Sequence, residues 1–298
     1  MNLSLRQLEV IVAIADSQSF TRAAAAMHLS QSAASHAVAE VERQLGFQIF
    51  DRTTRSVQLT RHGRDVVAIA RSAVSDHRHH MGLLDDAARG APETLTIAAM
   101  LSVTASLLPR ALSDLALHSP RSRFQVWTGN AQAVVQRLVD GLADVAIAVE
   151  DERVDGLTFT PVMVDEFVCL FKPDHHLAHH QQVTWKQLTN ETLIAFSAGS
   201  SLRRATDTAL AEFGGAPESI VEATDAASAA GLASAGFGVM VASDLLVPLT
   251  TFAGLLHRRI KGSNHGRQIG VFQATGRPMT SSARHLVRAL RRLRPEAP

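Results

Sequence analysis

Residues 19–45 constrain the fold of this chain more than any other stretch, because they encode two helices separated by three residues. Ser19 is a good N-cap for a first helix that ends near Met27. Ser30 caps a second helix, which Gly46 stops. A short helix, a three-residue corner and a longer second helix are typical of a helix-turn-helix unit. The alanines of the first helix allow it to lie closely across the second; they are Ala23, Ala24 and Ala26.

The second helix of this unit has an apolar stripe and a polar face. The stripe consists of Ala34, Val38, Val41 and Leu45. The polar face lies near the N-terminus and carries the donors and acceptors that read base edges in the major groove. The candidate DNA contacts are Gln31, Ser32, Ser35 and His36, with Arg52 and Arg55 beyond the helix as phosphate or minor-groove contacts. The alternative is a small helical domain whose polar face binds no DNA.

A hairpin and a long helix follow. Two β-prone pieces, 47–50 and 56–59, flank a polar turn and predict the hairpin. A proline-free helix is expected over 61–89, and residues 89–92 read as a linker. Its apolar seam advances in alternating steps of three and four, through Val67, Ala70, Val74, His77, Met81, Leu84 and Ala88. This heptad pattern favours pairing with a second helix, although a helix packed on its own domain would also be amphipathic.

From residue 94 onward, strand-like and helix-like segments alternate, which predicts an α/β fold with a mostly parallel sheet and helices on both faces. About 200 residues suit two small lobes better than one. Strands are expected at 94–99, 123–128, 143–149, 166–171, 192–196, 219–223, 237–242 and 267–273. Helices are expected at 102–118, 130–141, 200–213, 225–235 and 280–293.

Composition narrows the function classes. The single cysteine, Cys169, excludes an internal disulfide framework. No export signal and no apolar run of membrane-spanning length is visible, so a cytoplasmic protein without membrane contact is expected. Residues 255–298 hold ten basic and one acidic residue. Because Leu286, Leu290 and Leu293 share one helical face there, a packed amphipathic helix is favoured over nucleic-acid contact by this segment.

Motifs for catalysis and metal binding are weak. The chain has no glycine-rich phosphate loop, nucleophile elbow or metalloprotease helix, so we expect neither an enzyme nor a cofactor. Histidines cluster at 77–80 and 175–180. No cysteine or carboxylate stands at ligand spacing from either cluster, so no metal site is expected.

The first sixty residues resemble the DNA-binding segment of LysR-type transcriptional regulators. The motifs that carry the resemblance recur in order: Leu5-Arg6-Gln7-Leu8, Ser19 to Ala24, Ser30 to Ala33, Leu45-Gly46, Phe50-Asp51-Arg52 and Leu59-Thr60. Later landmarks extend it over the whole chain: Leu107-Leu108-Pro109, Gly141 to Ile147, Gly236 and Gly238-Val239. Ser32 stands where the family usually has proline, and His36 where it usually has arginine or glutamine. These two departures leave the operator sequence open.

The resemblance implies a winged helix-turn-helix at 1–60, a dimerisation helix at 61–90 and a two-lobed effector domain like a periplasmic binding protein at 91–298. Lobe I would comprise about 91–161 and 269–298, and lobe II about 162–268. The implied partners are promoter DNA, a small organic effector and further copies of the chain, as a dimer or tetramer. RNA polymerase is a further candidate partner.

An effector in such a domain binds where strands end and helices begin. Helix N-termini with hydroxyl side chains favour anions, so a carboxylate is expected, although the same residues also serve as ordinary helix caps. The candidate effector contacts are Ser102, Thr104, Thr128, Asn130, Phe196, Ser197, Ser200 and Thr224. A two-lobed solute-binding protein without a regulatory role is the alternative function, and the helix-turn-helix argues against it.

Overall fold

The computed structural model describes residues 3–52, 57–88, 94–120, 122–150, 154–213, 215–262 and 266–293. The chain divides into two units. The first consists of residues 1–91 with 139–142, and the second of residues 92–138 with 143–298. Among the helices described, none combines the length and the apolar character needed to cross a membrane.

The first unit contains the expected helix-turn-helix and hairpin. Its elements are α1 (Leu5–Ser17), α2 (Phe20–Ala26), α3 (Gln31–Leu45), β1 (Phe50–Arg52), β2 (Val57–Leu59) and α4 (Arg61–Ala88). The helices α1, α2 and α3 each begin at a serine whose side chain accepts a backbone N–H of the first turn; these are Ser4, Ser19 and Ser30. Gly46 ends α3 in the left-handed conformation, with φ of 80°. Residues adjacent in sequence therefore set these boundaries.

Small residues close the corner between α2 and α3. Ala23 and Ala24 are 1% and 2% exposed. Ala26 was expected to pack there too, but it is exposed because it lies on the outer face of α2. The rings of Phe20 and Phe50 meet edge to face with centroids 5.7 Å apart, which ties α2 to the hairpin.

The first hairpin strand begins at Phe50, later than the expected 47–50. A side chain of α3 explains the shift. Oε1 of Glu42 accepts the N–H of Ile49 at 2.8 Å and that of Phe50 at 3.2 Å. Phe50 then pairs with Leu59 in an antiparallel ladder. Turn residues 53–56 lie outside the described part of the chain.

The long helix α4 divides its apolar seam into two parts. Val67, Ala70 and Val74 are 5%, 0% and 2% exposed, and the first two belong to the core that α1 also lines. Met81 and Leu84 are 49% and 62% exposed. The first half of the seam is therefore buried, with Val67 and Ala70 in the core of the first unit, and the second half remains an open apolar stripe. The expected linker at 89–92 lies outside the described residues.

The second unit alternates strands and helices as expected. In chain order its elements are β3 (Thr94–Met100), α5 (Leu101–Ser106), α6 (Leu108–His118), β4 (Arg123–Gly129), α7 (Ala131–Val139), β5 (Val145–Val149), β6 (Leu157–Asp165), β7 (Phe167–Phe171), a 3₁₀ turn at His176–His179, β8 (Val183–Thr184), α8 (Trp185–Leu188), β9 (Thr192–Phe196), α9 (Ser201–Glu212), β10 (Ser219–Ala223), α10 (Ala226–Ser234), β11 (Val239–Ser243), a 3₁₀ helix at Asp244–Ala253, β12 (Leu256–Lys261), β13 (Arg267–Ala274) and α11 (Ser281–Arg292).

Two sheets, each with its own core, form two lobes. The order in lobe I is β4-β3-β5-β13-β6, and in lobe II it is β10-β9-β11-β7-β12-β8. Pairs β3–β4, β3–β5, β9–β10 and β9–β11 are parallel. In contrast, β13 runs antiparallel to β5 and β6, and β7 antiparallel to β11 and β12. With β8–β12 also parallel, five of the nine strand pairs described in the two lobes are parallel and four are antiparallel. The sheets are thus mixed, because the strands that lead into and out of lobe II run against their neighbours.

The two lobes join where β6 ends and β13 begins. Arg267 pairs in register with Asp165, and their side chains are 8% and 0% exposed with Nη2 and Oδ2 2.5 Å apart. Oδ1 of Asp165 also accepts the N–H of Leu245 at 3.3 Å. The chain passes from one sheet to the other at Glu166, a few residues after the expected boundary at 161.

One local expectation is wrong, and two strands were missed. The helix expected at 102–118 breaks at Leu107, because Pro109 in the first turn of α6 cannot donate a hydrogen bond back into α5. Strand β6 was not expected, and neither was β12. Pro161 interrupts the apolar pattern of β6 and lies opposite Gly270, where the ladder register shifts.

Candidate nucleic-acid interface and effector site

The N-terminal end of α3 presents the expected polar face. Gln31, Ser32 and His36 are exposed, and Ser35 is half-buried. The hydroxyl of Ser30 accepts a first-turn N–H at 3.1 Å and lies 2.9 Å from the hydroxyl of Ser32. The four candidate contacts on α3 therefore share one open face, with the buried apolar stripe of the helix behind them.

This face suits a polyanion. The first turn of α3 contains no acidic residue, so the positive end of the helix dipole and its unpaired N–H groups favour phosphate oxygens. Farther along the helix, hydrogen bonds from Arg43 and then Gln44 lower the pKa of the Glu40 carboxyl to about 2. The side chain of Arg52 and all of Arg55 lie outside the described residues.

Two residues that position this interface were missed at the sequence level. Glu42 holds the start of the hairpin through the two backbone bonds described above. Arg6 donates from Nη2 to the carbonyl of Met27 at 2.9 Å and from Nη1 to Glu9 at 3.1 Å, so α1 fastens the end of α2. No local sequence pattern predicts the contact of Glu42 with the hairpin or that of Arg6 with Met27, because each joins residues from different elements.

In lobe I, four candidate effector contacts gather at the ends of two neighbouring strands: Ser102, Thr104, Thr128 and Asn130. The register pairs Met100 with Gly129 and so aligns the ends of β3 and β4. Ser102 is 5% exposed, whereas Thr128 and Asn130 are exposed. Asn130 caps α7 by accepting an N–H at 2.8 Å, and the Thr104 hydroxyl donates to a local carbonyl at 2.9 Å.

In lobe II, the other four gather in the same way: Phe196, Ser197, Ser200 and Thr224. The register pairs Phe196 with Ala223 and so aligns the ends of β9 and β10. Ser200 caps α9 at 3.1 Å, and Phe196 is 8% exposed. The structure therefore brings the candidates together as two groups of four, one in each lobe.

Three charged residues that the sequence did not single out surround the loop after β9. Oε1 of Glu222 accepts the N–H of Ala198 at 3.0 Å. Arg203 donates to the carbonyl of Phe196 at 3.2 Å, and Arg204 donates to that of Gly199 at 3.0 Å. The carboxylate of Glu222 thus already accepts one backbone N–H of the loop after β9, where an anionic effector is expected to bind.

The surroundings of the chain's only cysteine, Cys169, do not favour a reactive thiolate. Cys169 is 0% exposed on β7, and burial raises the pKa of its thiol to about 12. The thiol donates a weak hydrogen bond to the carbonyl of Arg258 at 3.6 Å. A thiol so placed stays protonated and shielded at neutral pH.

Comparison with known proteins agrees with this architecture. A family model described as a bacterial regulatory helix-turn-helix protein of the lysR family matches residues 5–64, and a LysR substrate binding domain model matches residues 88–294. A probable hydrogen peroxide-inducible genes activator from Streptomyces viridosporus is 30% identical over 298 residues, covering 97% of this chain and 93% of that protein.

Solved structures share the fold. Full-length OxyR from Pseudomonas aeruginosa superposes with a TM-score of 0.69 at 21% identity, covering 98% of this chain and 95% of that one. Full-length CbnR complexed with its target DNA superposes with a TM-score of 0.62 at 20% identity, covering 97% and 99%.

A helix-turn-helix unit with an open polar face, followed by a two-lobed α/β unit, defines a DNA-binding regulator with a ligand-binding type of domain. The chain belongs to the LysR family of transcriptional regulators.

Proposed function

We propose that this regulator binds promoter DNA as a homo-oligomer, with the N-terminal end of α3 in the major groove. The observation that carries the proposal is the open face of Gln31, Ser32 and His36 on a helix N-terminus without acidic residues. Such a helix can read base edges while its N–H groups face phosphates. Binding at a promoter would place the protein in the cytoplasm and make RNA polymerase a further partner.

A binding assay on the DNA upstream of the protein's own gene tests this proposal. Gln31→Ala should lower discrimination between operator and mutated operator by about 1–3 kcal/mol, because a bidentate amide contact to adenine is lost. Gln48→Ala is the matched control, since Gln48 is exposed beyond the opposite end of α3. Unchanged operator preference in Gln31→Ala would contradict the assignment of this face.

For the second unit, we propose a small organic effector that carries a carboxylate and binds between the two groups of strand-end residues. Several neutral donors stand there, including Ser102, Thr128 and Ser197. Neutral donors avoid the large cost of leaving a charge buried and unpaired when the effector is absent. Binding without turnover is expected, because none of the described candidates forms a nucleophile–base pair.

The contact between Glu222 and Ala198 supports the carboxylate assignment. The N–H of Ala198 in this loop donates to a carboxylate oxygen with good geometry, at 3.0 Å. An effector carboxylate would displace Glu222 and then experience its negative charge. Glu222→Gln should therefore tighten binding of small carboxylates by several-fold. Glu218→Gln is the control, because Glu218 is exposed just before the other end of β10.

A thermal-shift screen of small carboxylates tests the effector site. A ligand that binds the folded state raises the melting temperature, by an amount that grows with the logarithm of its concentration divided by its Kd. Ser102→Phe should abolish the shift and leave operator binding intact. Because Ser102 is only 5% exposed and the bulky variant can unfold the lobe, the milder Thr128→Val serves as a second variant. Equal ligand shifts in the wild type and both variants would place the site elsewhere.

Peroxide sensing through a cysteine is not the function that this geometry supports, although the Streptomyces viridosporus relative is described as a probable peroxide-inducible activator. A cysteine that reacts with peroxide needs an accessible thiolate. Cys169 is the chain's only cysteine, and it is buried and protonated. A bound organic effector therefore remains the better proposal.

A further inference from the structure

Three side chains with metal-binding atoms converge in lobe II at His175, His176 and Glu191. Nε2 of His176 lies 2.6 Å from Oε1 of Glu191, and Nε2 of His175 lies 3.6 Å from Oε2. One donor atom from each residue lies within 4.8 Å of the other two. The side chains of His175 and Glu191 are 23% and 13% exposed, and that of His176 is 66% exposed. The cluster is therefore anchored on one side and open on the other.

We propose that His175, His176 and Glu191 form a binding site for a divalent transition-metal ion such as Zn²⁺. Two imidazoles and one carboxylate make up the donor set of three-ligand zinc sites, in which a water or another ligand takes the fourth position. Imidazole donors favour zinc, nickel, cobalt or copper over Mg²⁺ and Ca²⁺, which prefer all-oxygen sites.

The framework of this site is built from separate elements. The His175 ring packs against Phe171, the last residue of β7, with centroids 5.3 Å apart. Arg258 on β12 donates from Nε to the carbonyl of His180 at 2.8 Å and so fastens the far end of the 3₁₀ turn. Glu191 stands immediately before β9.

Metal binding is coupled to one backbone hydrogen bond. Nδ1 of His175 accepts the N–H of Leu177 at 3.3 Å, so the neutral ring carries its proton on Nε2, which faces Glu191. A neutral imidazole that binds a metal through Nε2 carries its proton on Nδ1 instead, and a protonated Nδ1 cannot accept from Leu177. The Leu177 amide is therefore a built-in reporter of metal ligation at His175.

The site lies apart from the proposed effector contacts. Glu191 precedes β9, and Ser197 follows it, so the two sites occupy opposite ends of the same strand. His179 and His180 lie at the other end of the turn and line, with His257, an open cavity of about 420 Å³. Within the described chain, the donor atoms of His175, His176 and Glu191 are the group that converges closely enough for one ion.

Titration of the untagged full-length protein with CoCl₂ and ZnCl₂ tests the proposal. Cobalt should give the strong visible absorption of a four-coordinate site, and zinc should displace it. His176→Ala and Glu191→Gln should each weaken zinc binding about tenfold or more. His179→Ala is the matched control and should bind as the wild type does. In NMR spectra, the Leu177 amide resonance should shift on zinc addition in the wild type but not in Glu191→Gln.

Binding that survives in both Glu191→Gln and His176→Ala would overturn the proposal. So would an equal loss in His179→Ala, which would indicate adventitious binding by surface histidines. His176 is exposed and glutamine matches the shape of glutamate, so both variants are expected to fold. Melting curves of the two variants that match that of the wild type would confirm it. Operator binding and effector response are measured separately, because the metal site does not depend on either.

Discussion

At the residue scale, Ala24 is one of two buried alanines of α2 at the corner between α2 and α3. Ala24 is 2% exposed, and its carbonyl accepts the N–H of Leu29 at 2.8 Å at the corner. The side chain and the backbone of Ala24 thus both stabilise the corner between α2 and α3. A larger side chain would separate the helices and move Gln31 away from its place on the unit.

We therefore expect Ala24→Leu to lower the free energy of unfolding of the first unit by about 1–3 kcal/mol, because the corner cannot accommodate three added carbons. Operator affinity should fall with it. Ala25→Leu makes the same substitution at the exposed neighbouring position and should stay within about 0.5 kcal/mol of the wild type. Chemical denaturation and operator binding measure both effects. Equal stability of the two variants would show that the corner tolerates extra volume.

At the element scale, α4 places two glycines in opposite surroundings. A Cβ at Gly63 would collide with the carbonyl oxygen of Ile49, ahead of β1, whereas a Cβ at Gly82 would meet nothing within 4 Å. The N–H of Gly63 also donates to the Thr60 hydroxyl at 2.8 Å. The first glycine lets the helix start against the hairpin, and the second only weakens the helix.

The same substitution should accordingly have opposite effects at the two glycines. Gly63→Ala should destabilise the first unit, since α4 and the backbone at Ile49 must separate. Gly82→Ala should stabilise α4 by about 0.5–1 kcal/mol, because alanine loses less backbone entropy than glycine in an exposed helix. Thermal unfolding of both variants is the measurement. A stabilised Gly63→Ala would mean that the hairpin moves aside at little cost.

The open half of the α4 seam supports a prediction about assembly. Replacing both Met81 and Leu84 with lysine should convert oligomers into monomers, because four like charges would meet in a paired seam. Val74 is unsuitable for this test, since it is 2% exposed and a lysine there would be a buried, unpaired charge. Ser72→Lys, on the opposite side of the heptad, is the control. Light scattering measures the oligomeric state of each variant. Intact oligomers of the double variant would contradict pairing through this stripe.

At the scale of the whole molecule, Asp165 connects the segments that pass between the lobes. It ends β6, pairs with Arg267 at the start of β13 and accepts the N–H of Leu245 in the 3₁₀ helix after β11. Burial raises the pKa of the Asp165 carboxyl, and the charge of Arg267 opposes that rise. A second ion pair close by in sequence, Arg259 with Glu166, is exposed, with 3.4 Å between Nη1 and Oε2.

Removing the two arginines separately should give unequal results. Arg267→Leu should destabilise the second unit by about 3–5 kcal/mol, because it leaves a buried carboxylate without its partner. Arg259→Leu should cost less than about 1 kcal/mol, since an exposed pair is screened by water. Calorimetry of the full chain measures both. Similar costs would show that the Asp165 pair contributes no more than a surface contact.

The Arg267→Leu variant should also depend on pH in a defined direction. Without the arginine, the pKa of Asp165 rises further above its value in the unfolded chain. The folded state then binds more protons than the unfolded state, so stability falls as the pH rises through this range. The deficit relative to the wild type should therefore be larger at pH 8 than at pH 5. A deficit that grows on acidification would contradict a buried, unpaired carboxylate.

Much of the fold follows from local sequence. The caps at Ser19 and Ser30 and the stop at Gly46 define the helix-turn-helix, since each acts within a few residues. Periodicity likewise predicts α11, where Leu286 and Leu290 are buried. Prediction failed where distant contacts or proline intervened: the late start of β1 depends on Glu42, and Pro161 concealed β6. The candidate effector residues could be proposed as strand-end positions, but their grouping into one set for each lobe required the strand register.

The sequence alone therefore determined most of the helices, the caps of the helix-turn-helix, the alternation of strands and helices and the family of this protein, because these depend on neighbours in the chain and on side-chain periodicity. Only the tertiary structure decided which polar groups meet. Asp165 and Arg267 are 102 residues apart, Glu222 reaches Ala198 across 24, and Glu191 reaches His176 across 15. Such pairs form because strand order and register bring distant residues together, and no local propensity encodes that register.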